Sequence, residues 1–453
     1  MIPIRPVVCG IVPPYLLANI ARRGSERQQA AATRSLALDL VHRQARTAGR
    51  PTVTVTMPAE DGPRRTIATA DGSETLPGRL VRSEGEPATG DAATDEAYDG
   101  LGATYDLYLS AYDRHSVDDA GLPLPATVHY GRDYDNAFWD GVQLVFGDGD
   151  GRVFARFTAD VGVLGHELTH AVTEYSAGLR YQDQSGALNE SVSDVFAACL
   201  EQRLLGQTAA DASWLIGAGI FLPGVEARAL RDMAAPGTAY DDPVLGKDPQ
   251  VGHFDDYVET TDDNGGVHLN SGIPNRAFQL AAVAIGGATW EGAGRIWYDA
   301  LTGGRVGPDT GFAGFAAATI AAAGAHADAV GSAWETVGVT PDAAPAPTPP
   351  PAETASRRVA VRRTGGFAGL QVGGEVDLDG DDPRGPEVAA LIERVDLHAV
   401  TDGPHQPDRF LYAFDLCGDR ATVPEQHLSP DLRRLADLVL ELPRTDPRGA
   451  DWR

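Results

Sequence analysis

Apolar and polar positions divide the chain into four stretches. In residues 1–50 the run Val12-Pro13-Pro14-Tyr15-Leu16-Leu17 is broken by proline, which disfavours helix in the residue before it. That run reads as an extended peptide able to fill a groove, while Gln28 to Arg46 carries helical spacing. From 51 to 160, short alternating runs at Thr52–Thr56 and Arg65–Thr69 predict strands, with one helix from Asp95 to Arg114. From 161 to 340 the period turns helical, with helices predicted at Pro274–Ile285, Gly292–Leu301, Gly311–Ala323 and Ala325–Val337. Residues 341–356 hold six prolines and no large apolar side chain, the composition of an extended linker. Beyond it a strand at Arg358–Arg363 and helices at Glu387–Val395 and Pro430–Leu440 predict a small α+β domain over 357–453. A length of 453 residues agrees with two or three domains.

Charge and cysteine content then limit the partners. A formal net charge of -27 speaks against nucleic acid or an anionic membrane surface. The charge is uneven, because residues 1–50 carry eight arginines against Glu26 and Asp39. A basic segment on an acidic body suggests docking in cis. Cys9, Cys199 and Cys417 are too few and too far apart for a disulfide framework, and Cys199, in VFAACL, reads as a core residue. No run reaches about 18 apolar residues, so no membrane span is expected. The apolar patch at the N-terminus is broken by prolines and lacks a small-residue cleavage site, so it is not read as a secretory signal. A cytoplasmic place and export by another route both stay open.

The chemistry concentrates between Val163 and Asp194. A helix turns about 100° per residue, so residues four apart share a face. His166 and His170 can therefore put two imidazoles on one metal with Glu167 beside them, the H-E-x-x-H zinc-hydrolase pattern. Glu190 follows as a candidate third ligand, with Asn189 next to it. Asp194 lies one turn further on, placed to hold the free N–H of a ligating histidine. The glycine-rich stretch Asp262–Gly272 carries His268 near Asp263, where an oxyanion stabiliser can sit. Asp148-Gly149-Asp150-Gly151 is calcium-like in composition but too short to be a site. Asp377 to Asp382 lacks the glycine and glutamate of a calcium loop and reads as an acidic turn.

From about Arg65 to Val339 these residues resemble the thermolysin-like zinc metallopeptidases. The resemblance implies a two-lobed α+β fold, with a β-rich lobe at 65–160 and a helical lobe at 161–340. It implies zinc on His166, His170 and Glu190, with Asn189 and Asp194 supporting the ligands. Glu167 is then the general base, and Tyr181 and His268 stabilise the oxyanion with Asp263 orienting His268. Asn136, Ala137 and Arg231 hold the substrate main chain. Phe154, Phe157, Val163, Ile216 and Leu230 line an apolar pocket after the scissile bond, so cleavage is expected on the amino side of large hydrophobic residues. One departure concerns calcium. The family's acidic position four before the first histidine is Gly162; Glu201 is kept, but Ser213, Leu215 and Ala218 stand where further acids occur. Calcium stays possible as a cofactor, but the double site is expected to be lost.

Pro13-Pro14-Tyr15-Leu16-Leu17 in a short basic leader resembles the propeptide of the protealysin subgroup. That implies an inhibitory pro-segment over residues 1–64 with these five residues over the cleft. Cys9 is then either a masking zinc ligand or, as preferred, a packing residue. Arg362 to Gly369, Pro407-Asp408-x-Phe410-x-Tyr412 and Pro430-Asp431-Leu432 resemble emfourin, an inhibitor associated with such enzymes. The expected protein is a monomeric endopeptidase acting on peptides and restrained intramolecularly. Two alternatives are a C-terminal targeting or adhesion module, and a silent precursor acting as a binding protein. An extended linker of this length spans about 50 Å at roughly 3.1 Å per residue, which permits inhibition in cis and equally in trans.

Overall fold

The computed structural model describes residues 9–47, 62–342, 358–365, 372–378, 382, 384–392, 394–395, 410–416 and 419–440. The chain divides into two compact units, Met1–Thr348 and Pro349–Arg453.

The first unit begins with a two-residue strand, β1 (Cys9–Gly10), followed by helices α1 (Pro14–Arg23) and α2 (Glu26–Thr47). The expected extended peptide at Pro13–Leu17 does not form. Pro13 keeps extended backbone as the helix cap, and Pro14 opens α1. A proline suits that first position, since its missing N–H would have no partner in the helix anyway. The rule that proline restrains the preceding residue acts on Val12 and Pro13 and leaves Tyr15 onward free to turn. Leu16, Leu17 and Ile20 then share one face and are fully buried. The run Thr52–Thr56 lies outside the described residues.

Strands β2 (Arg65–Thr69) and β3 (Arg79–Ser83) precede helix α3 (Ala92–Tyr112), and β4 (Leu124–Val128), β5 (Ala137–Trp139) and β6 (Leu144–Phe146) follow it. They form one sheet in the order β1-β5-β6-β4-β2-β3, so the first fifty residues supply its edge strand. β4 runs parallel to β2 and β6, whereas β1 runs antiparallel to β5. Helix α3 starts three residues before its predicted start, because the Asp91 carboxylate accepts the Thr94 N–H at 2.9 Å and caps it.

Just past β4, His129 ties three pieces of the chain together. Its Nδ1 lies 2.8 Å from Asp148 and its Nε2 3.1 Å from Asp91. Asp148 first, by hydrogen bond and charge, and then Asp91 raise its pKa from 6.5 to about 9 against the effect of burial. The folded value lies above the unfolded one, so this contribution to stability is full below about pH 6.5 and is lost as pH rises through about 9. Thermal unfolding followed from pH 6 to 10 is expected to show that loss, and His129→Gln is expected to flatten the profile in this window. The neighbouring Asp150 is spent differently: its Oδ1 accepts the N–H groups of Arg152, Val153 and Phe154. The calcium-like composition of Asp148–Gly151 thus serves a turn and an ion pair.

The rest of the unit is mainly helical: α4 (Val161–Glu174), α5 (Asp183–Leu205), then two short ribbons pairing β7 (Leu215–Ile216) with β8 (Arg231–Asp232) and β9 (Asp241–Asp242) with β10 (Gly246–Lys247). Helices α6 (Asp263–Asn270), α7 (Gly272–Ile285), α8 (Ala293–Thr302), α9 (Phe312–Ala322) and α10 (Ala327–Thr336) complete it. Helices α4 and α5 are buried almost all round and pack on each other. Gly165 permits their close approach, since a Cβ there would lie 2.8 Å from Leu200 Cδ2. Among the described residues, no helix is long and apolar enough to cross a membrane.

The second unit is α+β. Strands β11 (Arg358–Gly365), β12 (Val372–Asp377), β13 (Phe410–Leu416) and β14 (Asp419–Pro424) form an antiparallel sheet in the order β12-β11-β13-β14, with helices α11 (Gly385–Ile392) and α12 (Pro430–Val439). Alternate residues Val359 and Val361, and Tyr412, Phe414 and Leu416, face one core. Leu432, Leu435, Ala436 and Val439 meet it at helical spacing. Asp382 pairs with Arg384, as suits a solvated acidic turn.

Candidate metal centre and active site

Helix α4 presents His166, Glu167 and His170, and α5 presents Asn189, Glu190 and Asp194 to the same buried point. The two imidazoles stand edge to face with their Nε2 atoms 3.0 Å apart. Glu190 brings Oε2 to 3.5 Å from His166 Nε2 and Oε1 to 3.5 Å from His170 Nε2. The outer ring nitrogens are engaged: His166 Nδ1 lies 2.9 Å from Asp194 Oδ1, and His170 Nδ1 lies 2.8 Å from Asn189 Oδ1 and 3.0 Å from Ser193 Oγ. That places the ring protons outward and turns the Nε2 lone pairs toward Glu190. Burial, and then the neighbouring His166, lower the pKa of His170 to about 3, so it is neutral as a ligand must be. Burial opposes the Glu190 charge, but His268, His166 and His170 hold its carboxyl well below the usual range.

The three donors lie within 4.8 Å of one another and are buried. Zinc takes nitrogen ligands at about 2.0–2.1 Å in tetrahedral geometry, so donors a little over 3 Å apart suit one ion. Two imidazoles and a carboxylate in a dry site therefore fit zinc and leave a fourth position open.

Around this centre stand the expected helpers. Asp194 also takes a two-pronged ion pair from Arg231, Nε to Oδ2 and Nη2 to Oδ1 at 2.7 Å each, and accepts from Asn275 Nδ2 at 2.8 Å. Burial opposes its charge, but Arg231 and His166 hold its pKa at about 2. Glu167 Oε2 accepts the Trp139 N–H at 3.0 Å. Burial, and then the Glu190 carboxylate, push the Glu167 carboxyl well above its usual range, against the N–H groups of Trp139 and Ile11. The Tyr181 hydroxyl donates to Glu190 Oε1 at 2.6 Å and lies 3.4 Å from His268 Nε2.

The glycine-rich stretch is more specific than a loop. Asp263, Asn264, Gly265 and Gly266 have φ of 51°, 51°, 85° and 72°, one left-handed turn before the chain returns to a right-handed one. Left-handed backbone costs most L-residues roughly 1–2 kcal/mol, and Gly, Asn and Asp bear it best. The turn folds Asp263 back so that its Oδ1 lies 2.8 Å from His268 Nδ1 and its Oδ2 accepts the His268 N–H at 3.0 Å. Burial opposes charge on His268, but Asp263 and Glu190 raise its pKa overall.

The residues expected to bind substrate are engaged, and by residues other than those expected. Asn136 Oδ1 accepts the Val12 N–H at 3.0 Å, the Ala137 carbonyl accepts the Ile11 N–H at 3.1 Å, and Arg231 Nη1 donates to the Ile11 carbonyl at 3.0 Å. His268 Nε2 donates to the Gly10 carbonyl at 3.2 Å. Residues 10–12 lie in the cleft, while Pro13, Pro14, Tyr15, Leu16 and Leu17 form the helix start beside it. Leu16 and Leu17 pack in the main core, and burial pushes the Tyr15 hydroxyl well up beside Tyr240. The Cys9 side chain lies outside the described residues. Phe154, Phe157, Val163, Ile216 and Leu230 are all buried in the cluster that takes Ile11.

Sequence reasoning missed the clasp from α2. Asp39 Oδ1 accepts the Tyr134 hydroxyl at 2.6 Å, Asp39 Oδ2 accepts Asn136 Nδ2 at 3.0 Å, and Ser35 Oγ accepts the Asp135 N–H at 2.9 Å. Ser35 and Asp39 are four apart on an otherwise apolar helix face, and that spacing was the available signal. Ser193, Asn275 and the Trp139 N–H had no such signal.

Residues 49–174 match the family described as thermolysin metallopeptidase, catalytic domain, and residues 177–339 match its alpha-helical domain. Residues 361–440 match emfourin. An extracellular metalloprotease from Pectobacterium carotovorum subsp. carotovorum is 51% identical over 341 residues, 73% of this chain and 96% of that protein. A thermolysin from Alicyclobacillus acidocaldarius subsp. acidocaldarius is 40% identical over 287 residues, 61% of this chain and 48% of that protein. The solved precursor of protealysin, a metalloproteinase from Serratia proteamaculans, is 49% identical with a TM-score of 0.68, covering 73% of this chain and 100% of that one. Both parts of the peptidase are thus matched along their length around the buried donor set of His166, His170 and Glu190. The chain belongs to the thermolysin family of zinc metalloendopeptidases, with an emfourin domain behind the peptidase.

Proposed function

We propose that this chain is an endopeptidase that cuts on the amino side of large hydrophobic residues and is held inactive by its own first fifty residues. The observation that carries this reading is the main chain of residues 10–12 hydrogen-bonded to Asn136, Ala137, Arg231 and His268. The cleft cannot take a peptide there until that segment leaves.

With the segment displaced, an extended substrate adds to the edge of β5 through the Ala137 carbonyl. Asn136 and Arg231 fix its main chain across the bond to be cut. Zinc, when bound, lowers the pKa of water and polarises the peptide carbonyl. Glu167, beside the donor set, accepts the water's proton and delivers it to the leaving nitrogen. Tyr181 and His268 donate to the oxygen that gains negative charge, and Asp263 holds His268 in place. Asp194 and Asn189 keep the ligand imidazoles oriented. The residue after the cut bond enters the apolar surround of Phe154, Phe157, Val163, Ile216 and Leu230, and Ile11 is buried in the same hydrophobic core. The emfourin domain adds a second restraint. The double calcium site of the family is lost, because Gly162 offers no oxygen ligand beside Glu201.

Asp39 supports the clasp without belonging to the catalytic set. Asp39→Ala removes two charge-assisted bonds, each worth about 1.5–3 kcal/mol, so peptide hydrolysis by the precursor is expected to rise at least about 10-fold. Rates are to be compared among the full chain, the Asp39→Ala form and an Asp39→Ala chain ending at Thr340. Equal rates with and without the tail remove inhibition by the C-terminal domain, and no gain from Asp39→Ala removes the clasp.

A further inference from the structure

The segment in the cleft pairs with the edge of β5. β1 runs antiparallel to β5, with Cys9 opposite Trp139 and Gly10 opposite Phe138. Four main-chain contacts engage two successive peptide bonds, Gly10–Ile11 and Ile11–Val12. The Gly10 carbonyl accepts from His268 Nε2 at 3.2 Å, and that nitrogen lies 3.5 Å from Glu190. The Ile11 N–H donates to Ala137 O at 3.1 Å and also faces the Glu167 carboxylate. The Ile11 carbonyl accepts from Arg231 at 3.0 Å, and the Val12 N–H donates to Asn136 at 3.0 Å. Glycine at position 10 lets the chain come this close, since a Cβ there would lie 2.4 Å from Asn136 Nδ2. The bond beside the proton-carrying glutamate is therefore Gly10–Ile11.

We propose that Gly10–Ile11 is itself a substrate bond of this site, hydrolysed and re-formed in place while the cleft stays filled. The proposal rests on the endopeptidase reading above. In the forward direction a water oxygen bonds to the Gly10 carbonyl carbon. Glu167 takes the water's proton and passes it to the Ile11 nitrogen as the carbon–nitrogen bond breaks. The Gly10 carboxyl then gives its own proton to the Ile11 nitrogen, so the products are a Gly10 carboxylate and an Ile11 ammonium. In reverse, the ammonium returns that proton to the carboxylate, the freed amine attacks the Gly10 carboxyl carbon and gives a proton to Glu167, and Glu167 passes it to the departing hydroxyl, which leaves as water. No other reactant enters.

Cutting does not open the cleft, because both ends are held. Cys9 and Gly10 stay paired to β5. Ile11 and Val12 are buried, and α1 behind them packs through Leu16, Leu17 and Ile20. Asn19 Nδ2 donates to the Leu245 carbonyl at 2.7 Å, and the Asp39 clasp holds α2. Reacting ends kept in register have effective molarities of about 10⁵–10⁸ M, which offsets the preference for hydrolysis in open water. A free peptide has no such anchors, and its fragments leave.

The test uses the full zinc-loaded chain in water enriched in heavy oxygen, followed by denaturation and mass analysis. Expected are chains divided between Gly10 and Ile11, with heavy oxygen in the Gly10 carboxyl, and heavy oxygen also in the Gly10 carbonyl of intact chains. In Glu167→Gln both signals fall at least about 100-fold. Hydrogen exchange on that inactive variant, which needs no turnover, is expected to show protected Ile11 and Val12 amides. Hydrolysis of an added peptide is expected not to grow with the divided fraction. If neither division nor label appears while the Asp39→Ala form hydrolyses an added peptide, the proposal falls and the endopeptidase reading stands. Unprotected Ile11 and Val12 amides overturn the register, and activity growing with division overturns retention. If no bond of any kind is cut, both readings fall together.

Discussion

Glu167→Gln is expected to lower hydrolysis of a short peptide by about 10²–10⁴-fold while fold and zinc content are unchanged. The amide keeps the shape of the side chain and an oxygen for the Trp139 N–H, which now bonds Glu167 Oε2 at 3.0 Å. What it loses is the ability to take a proton from water and return it to the leaving nitrogen. Stability is expected to hold or rise, because burial and the nearby Glu190 already penalise the charged form of Glu167. The substitution should be made in the Asp39→Ala background, so that the cleft is accessible. The measurements are kcat/KM, zinc per chain and a thermal unfolding curve. If more than a tenth of the activity survives, another group carries the proton. If zinc is lost as well, the glutamate has a structural part that the geometry does not suggest.

The largest expected effect on stability belongs to Asp194. Asp194→Ala removes the partner of a fully buried Arg231 and the acceptor for both His166 Nδ1 and Asn275 Nδ2. A buried charge left without its partner costs about 3–5 kcal/mol. Losing the group that orients a ligating histidine typically weakens metal binding about 10–100-fold. Asp194→Asn separates the two effects. It keeps an oxygen for the His166 N–H but cannot balance the guanidinium, so zinc affinity should recover more than stability. Denaturant unfolding of the metal-free protein and zinc competition against a chelator report the two quantities independently. Equal losses of affinity in both variants would mean that charge, rather than the hydrogen bond to His166, sets the metal affinity.

The two substitutions probe parts of the site that were unequally legible in the sequence. His166, Glu167 and His170 follow from four-residue spacing on one helix, and Glu190 and Asp194 repeat that spacing on the next. Local period alone puts each set on one face, and the structure turns both faces to one point. The second unit was readable through the alternation of Val359 and Val361 and the helical spacing of Leu432, Leu435 and Val439.

Tertiary structure decided what lies in the cleft. Every residue except proline offers the same main-chain N–H and carbonyl to a sheet edge, so sequence cannot say which of the residues around Pro13 and Pro14 pair with β5. Pro13-Pro14-Tyr15-Leu16-Leu17 stood out by composition, but Leu16 and Leu17 are both buried on one face of α1, whereas neighbours in a strand point to opposite faces. Once α1 is docked, the chain ahead of Pro13 falls in register with Ala137, Asn136 and Arg231. Those contacts join residues 124 to 258 positions apart, beyond the reach of any local pattern. The same holds for Ser35 and Asp39, whose polarity on a helix signals nothing until Tyr134 and Asn136 are brought against them. Local spacing and residue chemistry, both written in neighbouring residues, determined the metal site. The occupant of that site and its register depend on where whole helices pack, and that is a property of the folded chain.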